Sequence, residues 1–255
     1  MKLGMPILFE YQTVEENLIL AKSLGLDFIE LNLNFEYCRR EMEGGALPKL
    51  FKKYGLFATL HFYDEGDFAS YDEVTRAYLS LFKKYARLGR KYVKLINVHL
   101  CGGPVVTISG TKNYIYEREF DTFSKRLIKN LKAAQKKAKK YGAELVIENT
   151  DYLPAFMDRT YELLYECGFS FNYDVGHDRV NKDALLNGVF KRLPISFKEM
   201  HIHDSKDDKC HLAIGEGDAD IRVYGEYIKN AYVLLEVKQK SDLTISVPKF
   251  KKLFE

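Results

Sequence analysis

Six histidines, His61, His99, His177, His201, His203 and His211, each stand at or just beyond the C-terminal end of an apolar segment with β-strand character. Carboxylates take the same place on neighbouring segments: Glu148 in LVIENT, Asp174 in FNYDVGH and Glu236 in YVLLEV. Imidazole mixed with carboxylate is the donor set of an open catalytic site for Zn²⁺, Mn²⁺ or Co²⁺, and no cysteine pair suggests structural zinc. A carboxylate buried unpaired in an apolar run costs several kcal/mol. A divalent metal is the simplest neutraliser of Glu148, Asp174 and Glu236 together, with Lys94, Lys198 and Lys238 as competing cations on the strands. One ion is expected, and the number of donors allows two or three. His201 and His203 alternate along one strand and point the same way. His201 is the expected ligand, with His203 or Asp204 behind it or on substrate. Glu30, in FIELNLN, is placed to hydrogen-bond substrate or a ligand histidine, or to form a surface ion pair.

Residues so far apart in sequence meet only if the strands carrying them share a mouth. Strand patterns cover 3–9, 28–32, 57–62, 92–99, 144–148, 169–174, 197–203 and 232–237. Helical periodicity fills 14–24, 47–54, 71–88, 117–141, 155–167, 182–192, 223–230 and 247–254. Gly25, Gly55, Gly142 and Gly168 each precede a strand by a residue or two, where a left-handed residue ends the preceding helix. Eight βα units in 255 residues predict an α/β fold closed into a single (β/α)8 TIM barrel over 1–255. An open doubly wound sheet would carry a G-x-G-x-x-G turn after the first strand, and none is present.

The net charge of +3, from 39 basic and 36 acidic residues, excludes the strongly basic footprint of a nucleic-acid binder. The lysine-rich helix at 117–141 keeps an apolar stripe and reads as a solvated outer helix. Four separated cysteines read as reduced thiols, and neither Cys101 nor Cys210, near the mouth, has a base beside it in sequence. The N-terminus has no signal-peptide pattern, and no stretch approaches the roughly 20 apolar residues of a membrane span. A cytoplasmic protein without membrane contact is expected. The long loop at 100–116 lies on the mouth side, as a lid or as the contact of a homodimer.

Taken together, LHFY, VHLCGG, IENT, DVGH, MHIHDSK, HLAIGEGD and LLE resemble the motifs of the xylose isomerase-like barrel superfamily. It includes sugar phosphate isomerases and epimerases, the tagatose and psicose 3-epimerases, and endonuclease IV. The resemblance spans nearly the whole chain. For the epimerases it implies one divalent ion held by Glu148, Asp174, His201 and Glu236, with Glu148 and Glu236 as catalytic proton carriers and His177 on substrate. The implied reaction is metal-dependent isomerisation or epimerisation of a sugar or sugar phosphate through an enediolate. An arginine that follows the seventh-strand histidine in ketose 3-epimerases is replaced here by SKDDK. Endonuclease IV implies the alternative, zinc-dependent phosphodiester hydrolysis at abasic DNA. Its three-zinc cluster adds His61, His99 and His211 as ligands, with Lys209 standing where it has an aspartate and Asp207 or Asp208 as substitutes; His177 is a further candidate metal ligand at the mouth. The acidic loop DEGDFAS does not suit a surface that approaches phosphates, so a sugar is the expected partner.

Overall fold

The computed structural model describes residues 1–150, 153–180 and 186–254. Eight parallel strands close into a barrel in which each pairs with the next and the eighth with the first. They run Lys2–Pro6, Phe28–Asn32, Phe57–His61, Val93–His99, Glu144–Glu148, Ser170–Asp174, Glu199–Ile202 and Tyr232–Leu235, here numbered first to eighth. All eight expected strands are present, and the fold is the expected (β/α)8 barrel.

Strand alternation divides the residues between two environments. Ile29, Leu31, Ala58, Leu60, Ile96, Val98, Leu145, Ile147, Phe171, Tyr173, Met200, Ile202, Val233 and Leu235 are buried in the apolar core. On the alternate face, toward the barrel axis, residues grade from aromatic at the bottom to ionisable at the mouth. Phe28 stacks on Phe57 with centroids 5.2 Å apart, and Tyr232 packs against both. This plug needs Gly4, since a Cβ there would lie 2.5 Å from two ring carbons of Phe28.

The helices follow local signals. Val14–Ser23 begins with a capping box, in which Thr13 accepts from the Glu16 amide and the Glu16 side chain accepts from the Thr13 amide. The four helix-ending glycines all have positive φ, as expected from their placement. Helices Leu47–Tyr54, Asp72–Gly89, Phe120–Lys140, Phe156–Glu166 and Lys240–Phe254 cover the barrel. Two departures stand out. The helix Glu36–Gly44 is not among the expected elements: Tyr37, Cys38 and Met42 do share one buried face, but the segment is short and otherwise strongly polar. Of the helix expected at 182–192, residues 182–185 lie outside the described residues, and Leu186–Phe190 is a π-helical turn. The 100–116 loop contains a hairpin, Val105–Ile108 with Thr111–Tyr114. Among the described residues, no helix is long and apolar enough to cross a membrane.

Gly4→Ala is expected to lower stability by about 1–3 kcal/mol through overpacking against Phe28, read as a reduced urea midpoint at unchanged slope.

Candidate active site at the barrel mouth

Glu148 and Asp174 are the last residues of the fifth and sixth strands, His201 lies within the seventh, and Glu236 follows the eighth. Barrel closure brings all four together, with one donor atom from each within 4.8 Å of the others. His201 Nδ1 stands 2.9 Å from Glu148 Oε1, 3.2 Å from Glu236 Oε2 and 3.8 Å from Asp174 Oδ2. Yet His201 Nδ1 and Glu236 Oε2 have no partner in hydrogen-bond geometry among the described residues. Buried donors that converge on one point without bonding one another have the character of a coordination sphere, and the mixed oxygen and nitrogen set fits a divalent ion.

A second donor group adjoins the first. His61 Nε2 lies 3.0 Å from His99 Nε2, and the two are 3.8 and 3.3 Å from Glu148 Oε2. His177, Cys210 and His211 form a third group, and His203, His211 and Glu236 a fourth. Cys210, rather than Asp207 or Asp208, stands beside the two histidines in that third group. The reason is local: 204–212 folds as a hairpin, Asp204–Lys206 with Lys209–Leu212, that turns at Asp207 with φ +56° and carries Cys210 back toward the mouth.

His203 faces the site without reaching its centre. Its Nδ1 accepts the His211 amide at 2.7 Å, which leaves Nε2 to donate to Asp174 Oδ1 at 3.0 Å. Gly176 makes room for that ring, because a Cβ there would fall 1.8 Å from His203 Cε1. Glu30 is buried deep in the barrel, with Oε1 3.6 Å from His201 Nε2. The surface ion pair is therefore ruled out by depth.

Several participants escaped the sequence reading. Asn97, two residues before His99 on the same strand face, donates to Glu148 Oε2. Asn149 ties the fifth strand to the sixth, donating to the Asp174 carbonyl at 2.9 Å and accepting its amide at 2.8 Å. The period of two would have pointed to Asn97, whereas nothing local marks Asn149. Of the three strand lysines, only Lys238 reaches a mouth carboxylate, pairing with Glu236 Oε1. Lys198 faces Glu144 at 4.0 Å, and Lys94 is exposed. Asp204 organises the following loop: its carboxylate accepts the amides of Ser205, Gly215 and Gly217 at 2.9 Å and of Ala219 at 3.0 Å.

The electrostatics follow from these contacts. Burial would push Glu148 up, but the imidazoles of His201 and His99 outweigh it and hold the carboxyl well below the usual range. Burial likewise opposes ionisation of Glu236, and Lys238 and His201 overcome it. Burial would lower His201, yet Glu148, Glu30 and Glu236 raise it well above an ordinary histidine. His177 is raised to about 10, because Asp174 outweighs burial. His211 falls to about 4, mainly through burial, and stays neutral as a donor.

An eight-stranded parallel barrel with imidazoles and carboxylates gathered at its C-terminal mouth defines a (β/α)8 protein with a candidate metal-binding site where such barrels carry their active sites. The chain belongs to the xylose isomerase-like TIM barrel family, whose model matches residues 18–241. An uncharacterized protein of Methanocaldococcus jannaschii is 26% identical over 147 residues. That match covers 54% of this chain and 57% of the relative, so the chain spans little more than half of the curated relative's length. Among solved structures, a D-tagatose 3-epimerase-like protein superposes with a TM-score of 0.78 at 17% identity, covering 99% of this chain and 97% of that one. The 3-keto-D-glucoside 4-epimerase of E. coli superposes with a TM-score of 0.73 at 16% identity, covering 99% and 98%. A Thermus thermophilus protein soaked with zinc chloride gives a TM-score of 0.72 at 20% identity, covering 99% and 98%. At these identities the likeness is one of fold.

Asp204→Ala leaves one buried and three part-buried amides without their acceptor, at about 1–3 kcal/mol for each that water does not reach. Hydrogen exchange is expected to accelerate at Gly215, Gly217 and Ala219 while the barrel strands keep their protection. The pH dependence of stability offers a second check. Between about pH 6.5 and 10 the folded, metal-free chain keeps a proton at His177 that the unfolded chain has already released, so stability falls as pH rises through that window. His177→Gln is expected to flatten that slope in urea titrations.

Proposed function

We propose that this chain is a divalent-metal-dependent isomerase or epimerase of a sugar or sugar phosphate, with Glu148 and Glu236 as the proton-transferring residues. One observation carries the reading: two glutamates from non-adjacent strands approach His201 Nδ1, at 2.9 and 3.2 Å, with Asp174 completing the donor set. Glu148, Asp174, His201 and Glu236 would hold the ion. When bound, Zn²⁺, Mn²⁺ or Co²⁺ supplies Lewis acidity toward a carbonyl and its neighbouring hydroxyl.

The remaining work falls to the side chains. A carboxylate that is ionised before substrate arrives can take a proton from the carbon next to a carbonyl, and both glutamates are held ionised by cationic neighbours. Proton removal by one and return by the other, from the opposite side of an enediolate, inverts the carbon. Return to the adjacent carbon isomerises the sugar. Asn97 fixes Glu148 by donating to Oε2, which leaves Oε1 toward His201 and the centre. Lys238 restrains Glu236 in the same way through Oε1, with Oε2 toward His201. His177 lies at the mouth, 4.0 Å from Asp174 and only partly covered, where it can donate to a substrate hydroxyl.

The reading is further supported by family membership and by the two solved relatives named as an epimerase and as epimerase-like. The phosphodiesterase reading has less support. Asp64 stands at the rim, with Oδ1 3.5 Å from His61 Nδ1 and 3.7 Å from His99 Nδ1, so a phosphate approaching the second donor group meets a carboxylate.

With metal-loaded protein and a panel of ketoses and ketose phosphates in D₂O, deuterium uptake at carbon is expected for at least one member. Glu148→Gln and Glu236→Gln should each reduce it about 10²–10⁴-fold, the usual contribution of a positioned acid or base. Absence of exchange across the panel under Zn²⁺, Mn²⁺ and Co²⁺ overturns the reading.

A further inference from the structure

Beneath the mouth lies a second polar layer, of which the proposed reaction uses only the Asn97 amide. Glu30, Thr59, Asn97, Asn172 and Glu199 come from the second, third, fourth, sixth and seventh strands, and none is more than 2% exposed. Barrel interiors at this depth are dominated by branched apolar side chains. Among the described residues, Glu30 Oε1, both Glu199 oxygens, Thr59 Oγ1, Asn97 Oδ1 and both polar atoms of Asn172 have no partner in good hydrogen-bond geometry, although the Thr59 hydroxyl lies near enough to Glu199 to stabilise its ionised form in part. A buried polar atom left without a partner costs about 1–3 kcal/mol, and a charged one more. So many in one place, mostly oxygens, point to something that satisfies them together.

Strand pairing sets Glu30 level with Thr59, and Glu199 level with Asn172. Donor atoms of Glu30, Glu199 and His201 all lie within 4.8 Å of one another. The charges separate in the same way. At the mouth, Glu148, Asp174 and Glu236 can be balanced by one divalent ion and Lys238. Glu30 and Glu199 have no Lys or Arg ion pair among the described residues.

We propose that this buried layer is a second, sealed cation site, in which Glu30 and Glu199, with the side-chain oxygens of Thr59 and Asn172, hold a hard divalent cation of the Mg²⁺, Mn²⁺ or Ca²⁺ class. Oxygen donors without thiolate select that class. His201 connects the two levels, with Nδ1 toward the mouth and Nε2 3.6 Å from Glu30 Oε1. An ion that fixes Glu30 therefore also fixes the ring that serves the mouth, which is the part outer partners of metal-binding histidines play.

Burial makes the site testable apart from turnover. The full chain, produced with supplementary Mn²⁺, is dialysed against EDTA and its metal counted by mass spectrometry. The expected result is about one retained equivalent per chain, with the mouth ion removed. Glu199→Gln should abolish the retained equivalent, whereas Glu236→Gln should keep it. Anomalous diffraction from crystals of the Mn²⁺-grown wild-type chain supplies a measurement that no variant's folding can spoil, with a peak expected between Glu30 and Glu199. No retained metal together with no peak overturns the proposal and leaves the two carboxyl groups sharing a proton. Failure of sugar exchange bears on neither measurement.

Discussion

The cost of holding carboxylates away from water governs this molecule. Glu30, Glu148, Asp174, Glu199 and Glu236 all lie inside one barrel, where an ionised oxygen loses hydration worth several kcal/mol unless charge or hydrogen bonds replace it. Nearly every feature of the mouth is a replacement of that kind. His99 and His201 stabilise Glu148, Lys238 stabilises Glu236, and His203 together with Asn149 and the His177 amide fixes Asp174 and its backbone. Deeper down, burial and the nearby Glu30 push the carboxyl of Glu199 up to about 8, and His201 and the Thr59 hydroxyl only partly offset them. The interior therefore has an upper level paired by several protein cations and a lower level that shares only the His201 ring with it.

The rest of the fold makes this concentration of charge affordable. Outward strand residues are apolar and buried, each of the larger ones worth about 1.5–3 kcal/mol, so stability rests on the interface between barrel and helices. The axis is thereby released for chemistry, with the aromatic plug of Phe28, Phe57 and Tyr232 closing its lower end. Loops at the mouth need fixing of their own. Asp204 supplies it by gathering four amides on one buried carboxylate, and the hairpin that it begins carries Cys210 and His211 to the site.

Much of this was legible in the chain. The eight strands showed because their outward residues are apolar and β-branched or aromatic, and the helix ends showed because only glycine takes a positive φ without penalty. Glu148, Asp174, His201 and Glu236 stood out as polar groups in apolar surroundings. Other elements were hidden for physical reasons. Glu36–Gly44 is a short helix whose apolar face consists of three residues, Tyr37, Cys38 and Met42, too few in a strongly polar segment to stand out in the sequence. Cys210 depends on a hairpin that turns at a left-handed Asp207, a conformation aspartate tolerates but that nothing in SKDDK assigns to one of its two aspartates.

What the sequence determined by itself was the alternation of environments: which residues face the helices, which face the axis, and at which end of each strand the ionisable groups collect. Depth was decided only by closure. Neighbouring strands are staggered when a sheet closes into a barrel, so residues at similar places in their own strands come to rest at different heights. Glu30 thus lies beneath His201, while Glu148 and Glu236 converge beside it. The separation of a mouth that can take a ligand from a sealed layer below it arises from that stagger, a relation among strands that no single segment encodes.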